Sequence, residues 1–248
     1  MKKLSALLVV LALVIGIGSS YAQPQLKINL YGGYNLPMPD LKGDIKDSAD
    51  NVNTFGMKMG YGFGADGKYY LGKKRNVGIT LDLGYQMFSN SEDTVNGVGK
   101  DVKRKLNAFN FGLGIEYAFM PKGKVNPFFG AEFTGHMFSG NGEATVAGVT
   151  TTADMESASR FGAAFGFGAD FQLNKSIGIV VGGKYHLANL IGKDFDTTNP
   201  GTNKYRLLDK EYTYTVGSTS TTIAAKNISY LQFYLGVSFY LNQPKKTK

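Results

Sequence analysis

The histidines of the chain, His136 and His186, are the first residues to consider for acid–base or metal chemistry. A metal site or an acid–base pair is conceivable, with Glu132 as a further member. Protein zinc sites use three or four placed ligands, whereas the spacing here places only two. We therefore expect polar packing at the histidines, with no metal and no cofactor.

Two short motifs could indicate an enzyme. In "HMFS", His136 and Ser139 are three residues apart and would lie on opposite faces of a strand, so they do not form a nucleophile–base pair. "GFGADG" (62–67) matches a dinucleotide-binding motif, but that site needs a helix after the glycines. The next residues are "KYYLGKKRN", a strand end and a turn. The sequence predicts no enzymatic activity.

Charged residues are balanced in the polar register of the predicted strands. The cations are Lys27, Lys58, Lys68, Arg160 and Lys184, and the anions are Asp66, Asp82, Glu116, Glu132 and Asp170. An unpaired buried charge would cost several kcal/mol, so equal numbers of each sign indicate ion pairing. Lys27, Asp66 and Lys68 are expected at solvated rims. The other seven, together with His136 and His186, are the candidate residues of a polar lumen.

These residues belong to segments in which apolar and polar residues alternate with a period of two. In "RFGAAFGFGADFQL" (160–173) the odd positions are apolar, while the even positions are Gly, Ala, polar or charged. Such alternation is typical of strands, and the abundance of glycine, 33 of 248 residues, disfavours helices. The fold class is therefore all-β. We predict eight strands, at about 25–36, 54–71, 76–88, 106–120, 126–138, 159–173, 176–190 and 228–241.

The connections alternate in length. Those at 72–76, 121–126 and 174–176 are short, and those at 37–53, 89–105, 139–158 and 191–227 are long and polar. This alternation predicts an eight-stranded antiparallel up-and-down transmembrane β-barrel with short periplasmic turns and long outer loops. "EYTYTVGSTSTTI" (211–223) could form a hairpin around Gly217 or extend its flanking strands. A ten-stranded barrel is the less favoured alternative.

The apolar register is too bulky for the inside of this barrel. An eight-stranded barrel has an interior just wide enough for side chains to fill, so the apolar residues of all strands would overfill it. If they face lipid instead, glycines and small polar residues line a narrow lumen, and closure pairs every backbone amide, as lipid requires. A water-soluble barrel with the reverse orientation is the rejected alternative.

The amino terminus resembles a secretory signal peptide. Lys2 and Lys3 precede an apolar run (4–17) and a small-x-small site, Ser20-Tyr21-Ala22. We expect a signal peptide at 1–22, cleaved before Gln23, a barrel domain at 23–241 and a basic periplasmic tail at 242–248. The absence of cysteine excludes disulfides and thiolate metal sites.

The formal net charge of +8 could suggest a nucleic-acid partner, but its distribution does not. The short turns and the tail carry cations and no acids: Lys73, Lys74, Arg75, Lys122, Lys124, Lys175, Lys245, Lys246 and Lys248. Such cations can pair with anionic phospholipid headgroups at about 1 kcal/mol each, or they can keep the chain soluble during transit. We expect outer-membrane lipids, and no nucleic acid, as partners.

These features together resemble the small OmpA/OmpX-type outer-membrane β-barrel family. The last strand is similar to the family's carboxy-terminal assembly signal, polar-x-Gly-x-x-aromatic-x-hydrophobic, with Tyr234 at the polar position and Gly236, Phe239 and Leu241 at the others. "NQPKKTK" comes after the strand, although the family's chains usually end there. The resemblance implies location in the cell outer membrane and recognition by the barrel-assembly machinery.

We expect a plugged polar lumen and a structural or surface-interaction role through the long extracellular loops, with an unidentified loop partner. The alternatives are a narrow pore or hydrophobic-ligand conduit, and a lipid-modifying enzyme at the loop rim.

Overall fold

The computed structural model describes residues 25–45, 54–95, 98–196, 198, 200–216 and 218–241. The predicted signal peptide (1–22), the tail (242–248) and its lysines lie outside the described residues. Within the described residues, no helix is long and apolar enough to cross a membrane. The strands are β1 Leu26–Pro37, β2 Met59–Leu71, β3 Val77–Val95, β4 Val98–Ala118, β5 Val125–Val146, β6 Val149–Gln172, β7 Ile177–Ile191, β8 Lys204–Tyr205, β9 Tyr212–Val216, β10 Thr219–Ile223 and β11 Ser229–Leu241.

Eight of these strands form a closed antiparallel ring. Strands β1 to β7 each pair with their neighbours in the chain, and β11 pairs with both β7 and β1. This arrangement confirms the predicted eight-stranded up-and-down barrel, and the ten-stranded alternative is wrong. β9 and β10 form the hairpin predicted around Gly217, which itself lies outside the described residues, but as a separate two-stranded sheet rather than an extension of the barrel.

Strand ends differ from the prediction on the outer side. The segments 89–105 and 139–158, predicted as loops, continue β3 to β6 as long hairpins. Ala147 and Gly148 join β5 to β6 with φ angles of 49° and 79°, the backbone signs of the type I′ turn that suits a two-residue hairpin. β2 begins only at Met59, so Phe55 and Met57 do not belong to the outward register. Met57 is buried instead.

The apolar register faces outward. On β4, five alternate side chains are 42–62% exposed: Phe109, Phe111, Leu113, Ile115 and Tyr117. The span from Phe109 to Tyr117 matches the roughly 9–11 residues that a tilted strand needs to cross a bilayer. Exposed Lys103 and Lys105 lie beyond it on the same face and mark the outer boundary of the apolar band. The water-soluble alternative, with this register inside, is wrong.

Glycines of the inner register make room for tyrosine rings from neighbouring strands. A Cβ atom on Gly64 would lie 2.6 Å from Tyr31 Oη, and one on Gly78 would lie 2.9 Å from Tyr70 Cδ1. Glycines and small polar residues therefore share the interior with larger side chains. Inner-register aromatics such as Tyr31 and Tyr70 fill the space over the glycines.

Candidate functional site

A cluster of ion pairs lies in the interior near the short turns; we call Lys27, Asp66, Lys68, Glu116 and Asp170 the inner charge cluster. Lys27 Nζ hydrogen-bonds to Asp170 and lies 4.0 Å from Glu116 Oε1. Lys68 Nζ donates to the other oxygen of Glu116 and lies 3.7 Å from Asp66 Oδ1. The cluster joins four different strands across the barrel.

The expectation that Lys27, Asp66 and Lys68 are solvated rim residues is wrong. They are 1%, 6% and 4% exposed. The reason is aromatic cover from other strands: Lys68 Nζ lies 4.3 Å from the centroid of the Phe128 ring, and Lys27 Nζ lies 5.5 Å from the same centroid. Tyr70 Oη donates to Glu116 Oε1 over 2.6 Å and completes this level.

Farther from the turns, Asp82, Glu132 and Lys184 form the central charge cluster. Lys184 Nζ lies 3.1 Å from Asp82 Oδ2 and 3.1 Å from Glu132 Oε2. Asp82 also accepts hydrogen bonds from Tyr31 Oη at 2.7 Å and Asn110 Nδ2 at 3.1 Å. One cation thus serves two carboxylates, and neutral donors satisfy further lone pairs of Asp82.

The histidines lie next to each other at the adjacent level. Their ring centroids are 6.1 Å apart, and the His186 ring stacks on Tyr230 at 4.4 Å. His136 Nε2 lies 3.0 Å from Thr134 Oγ1. In the described part of the chain, no group of three or more His, Cys, Asp or Glu residues could hold a metal ion. The arrangement is one of aromatic and polar packing.

An apolar layer lies beyond the histidines, at the outer end of the filled interior. Phe88, Leu106, Phe138, Ile228 and Tyr230, which we call the outer apolar layer, are all buried in one cluster. The prediction missed this layer because it assigned bulky side chains to the outward register. Phe88 and Phe138 are signalled only by falling in the opposite register from their outward-facing neighbours Met87 and Met137.

Arg160 points to a partner that the sequence prediction missed. Its Nε and Nη2 atoms donate to the two oxygens of Asp209, both over 2.9 Å. Asp209 is fully buried, although it belongs to the long connection between β7 and β11. Asn189 Nδ2 donates to the same carboxylate at 2.8 Å. No periodic pattern marks Asp209, so register alone could not identify it.

Lys58 is not a lumen residue. It precedes β2, its side chain is 45% exposed, and it lies 2.9 Å from Glu92 Oε1 and 3.5 Å from Asp44 Oδ1. The predicted strand start at residue 54 placed it in the polar register, and the later start at Met59 removes it. The other lumen candidates, including both histidines, lie in the interior, and the Glu132 side chain is 11% exposed beside Lys184.

A separate cavity of about 590 Å³ lies on the outer side of the outer apolar layer. The outer halves of β4, β5 and β6 form one wall, and residues 54–57, 205–208 and Lys226 form the other. Across the strands, Arg104 pairs in register with Gly142, and Gly142 with Ala153. These small residues leave space in front of the long Arg104 side chain. The sequence prediction treated these stretches as loops and did not foresee the cavity.

The family comparison agrees with the geometry. A family model described as "Outer membrane protein beta-barrel domain" matches residues 6–240. The chain belongs to this family. No curated protein matches it.

Solved structures that are similar to this chain have little sequence identity with it. The outer membrane protein OprG from Pseudomonas aeruginosa is 14% identical, with a TM-score of 0.51 over 89% of this chain and 98% of that chain. Neisserial surface protein A is 10% identical, with a TM-score of 0.46 over 88% of this chain and 97% of that chain. The family places the protein in the outer membrane.

The four residues of the predicted assembly signal lie on β11, the last strand of this outer-membrane barrel. Tyr234 points inward, and its ring centroid is 5.1 Å from that of Tyr31. Phe239 and Leu241 are exposed on the outward face. Gly236 lies under Tyr31, where an added Cβ would come within 2.8 Å of Tyr31 Cβ. Tyr234 thus takes an inward position, where the family's signal has a polar residue.

Proposed function

We propose that this outer-membrane protein neither conducts solutes nor catalyses a reaction, and that it acts through the structures on its outer face. The observation that carries the proposal is the sequence of filled levels in the interior. The inner charge cluster, the central charge cluster, the histidines and the outer apolar layer succeed one another across the barrel. Together they form a plug, because interiors of eight-stranded barrels are just wide enough for side chains.

Amide side chains between the charges and the apolar layer support the same conclusion. Asn35 Nδ2 and Gln232 Nε2 both donate to Gln86 Oε1, over 2.7 and 3.2 Å. Gln86 Nε2 in turn donates to Asn110 Oδ1 at 3.2 Å. A solute crossing this level would have to break hydrogen bonds between buried groups, each of which costs about 1–3 kcal/mol when left unsatisfied.

The outer hairpins support a role in surface interaction. β3 to β6 rise past the apolar band, and β9 and β10 form an additional exposed sheet. The two histidines lie in the interior rather than at the rim, which disfavours a histidine-dependent lipid-modifying enzyme there. The conduit alternative gains support from one observation, the outer cavity with its mostly apolar lining.

Export and assembly are part of the proposal. We expect cleavage after Ala22, recognition of β11 by the barrel-assembly machinery, and contact of exposed Lys73, Lys74 and Lys122 with anionic lipid headgroups. Amino-terminal sequencing of the protein from outer-membrane fractions should begin at Gln23. An intact Met1 would contradict the cleavage.

Planar-bilayer recording tests the plug. Protein whose folding has been verified by heat-modifiable migration should give no stable stepwise current. A stable current that changes in Glu132→Gln or Arg160→Gln would show a pore and overturn the proposal. Mass analysis of lipid A from cells with and without the protein should show no difference, and a modified acyl pattern would indicate an enzyme.

A further inference from the structure

The outer cavity has mostly apolar walls. Phe55, Met57, Leu106, Met155, Leu207 and Leu208 line it, and Met57, Leu106, Met155 and Leu207 belong to the buried cluster beneath. Its volume lies within the roughly 300–1,000 Å³ of small-molecule sites, which are mainly apolar with a few placed polar groups. The walls therefore suit the apolar part of a small molecule.

Three half-buried cations line this cavity, and Arg206 is paired with Glu156 and Asp196, whereas Arg104 and Lys226 have no such partner in the described part of the chain. Arg104 belongs to the inward register of β4, between inward Val102 and Leu106. Lys226 reaches the cavity from the connection before β11, and its Nζ lies 4.6 Å from the centroid of the Phe55 ring. Among the described residues, no carboxylate oxygen lies within 4.0 Å of either cationic group.

The acids that act electrostatically on these two cations, Glu92 on Arg104 and Asp209 and Asp40 on Lys226, are engaged elsewhere. Asp209 accepts hydrogen bonds from Nε and Nη2 of Arg160, and Asp40 accepts from Asn227. Glu92 pairs with Lys58. Burial lowers the pKa of Lys226, and the positive charge of Arg104 acts in the same direction, against Asp209 and Asp40. Burial also lowers the pKa of Arg104. The cavity therefore holds two cations, Arg104 and Lys226, that have no ion-pair partner among the described residues.

We propose that the outer cavity binds a free long-chain carboxylate from the medium, with the carboxylate on Arg104 and Lys226 and the hydrocarbon chain against Phe55, Leu106, Met155 and Leu207. A planar guanidinium binds a carboxylate through two parallel hydrogen bonds, and Lys226 adds a second cationic donor. Transfer of the hydrocarbon chain from water to these apolar walls is favourable, and the gain grows with each buried methylene. This inference rests on the proposed outer-face function and names its ligand class.

Binding of radiolabelled laurate to the full-length protein in phosphatidylcholine nanodiscs tests the inference, with empty nanodiscs subtracted. We expect saturable binding to the wild type. The double variant Arg104→Met, Lys226→Met should bind about tenfold more weakly or worse, because charge-assisted hydrogen bonds are lost. The double variant Lys73→Met, Lys74→Met removes the same charge from the opposite end of the barrel and should bind like the wild type.

Dodecanol has the same hydrocarbon chain length as laurate but no carboxylate, so it distinguishes the contribution of the headgroup from that of the chain. It should compete poorly with laurate. Equal laurate binding by both double variants, absence of saturable binding to folded wild type, or saturable binding of lipid A in place of laurate would overturn the inference. The outcome of the laurate experiment does not depend on whether the barrel interior is plugged. A stepwise current in bilayers would contradict the proposed function, whereas failure of laurate binding without a current would contradict the ligand alone.

Discussion

The inner charge cluster and the outer cavity both contain cations, but they differ in whether an acid pairs with each cation. In the inner and central clusters, Lys27, Lys68 and Lys184 each have a carboxylate oxygen within 4.0 Å. In the outer cavity, Arg104 and Lys226 have none among the described residues. The paired cations neutralise buried carboxylates, and we infer that the unpaired ones bind a ligand.

Side-chain size across the strands explains the difference. In the interior, an acid from another strand reaches each lysine, as Glu116 does for Lys68. In the outer cavity, Gly142 and Ala153 stand across from Arg104 and leave open volume. The lysines of the filled interior are therefore compensated by acids, whereas Arg104 and Lys226 are left without an acid, among the described residues, where the barrel is hollow.

The two regions should differ in the cost of losing one cation. Lys184→Met leaves Asp82 and Glu132 buried without their cation, and we expect a loss of about 3–5 kcal/mol of unfolding free energy. Arg104→Met leaves no carboxylate without its cation, so it should lower the unfolding free energy by less than about 1 kcal/mol. Urea unfolding of both variants from lipid vesicles measures the difference. Equal costs would remove the distinction between the two regions.

Strand β6 passes through both the apolar band and the outer hairpins, so one substitution type can be compared along it. Phe165→Arg places a charge in the band, where a midplane arginine costs about 2–4 kcal/mol, and should reduce the folded fraction in outer membranes. Val149→Arg lies at the exposed hairpin tip and should have almost no effect. Heat-modifiable migration of membrane fractions compares the two. Normal migration of Phe165→Arg would contradict its contact with lipid.

Predictability from sequence differs between the outside and the inside of the barrel. The outward register can be read from period-two alternation, which local residues specify. The balance of charges indicates ion pairing, but the individual partners cannot be read from the sequence, because Lys27 and Asp170, or Lys184 and Asp82, meet only once the ring closes over long sequence separations. Asp209 has no periodic signature at all. The cavity depends on how far the hairpins rise, and the weaker alternation of 89–105 and 139–158 concealed this.

The smallest effect concerns the exposed rim pair of Lys58 and Glu92. The hydrogen bond to Glu92 raises the pKa of Lys58, so the pair stabilises the fold while the ammonium is protonated. That contribution is complete below the ordinary lysine pKa of about 10.4 and is lost as pH rises through the higher folded-state pKa. Lys58→Met should cost at most about 1 kcal/mol at pH 7, and less at pH 12. Urea unfolding at both pH values measures it, and a larger cost at the higher pH would contradict the pairing.

Cysteine labelling tests most directly whether the interior is filled and the outer cavity is open, because the chain contains no native cysteine. Ala153 lines the cavity, and Ala164 is 1% exposed in the interior of the same strand. With a membrane-impermeant maleimide, Ala153→Cys should label rapidly and more slowly with laurate present, while Ala164→Cys should label only after unfolding. Labelling of Ala164→Cys in the folded barrel at the rate of Ala153→Cys would contradict the account.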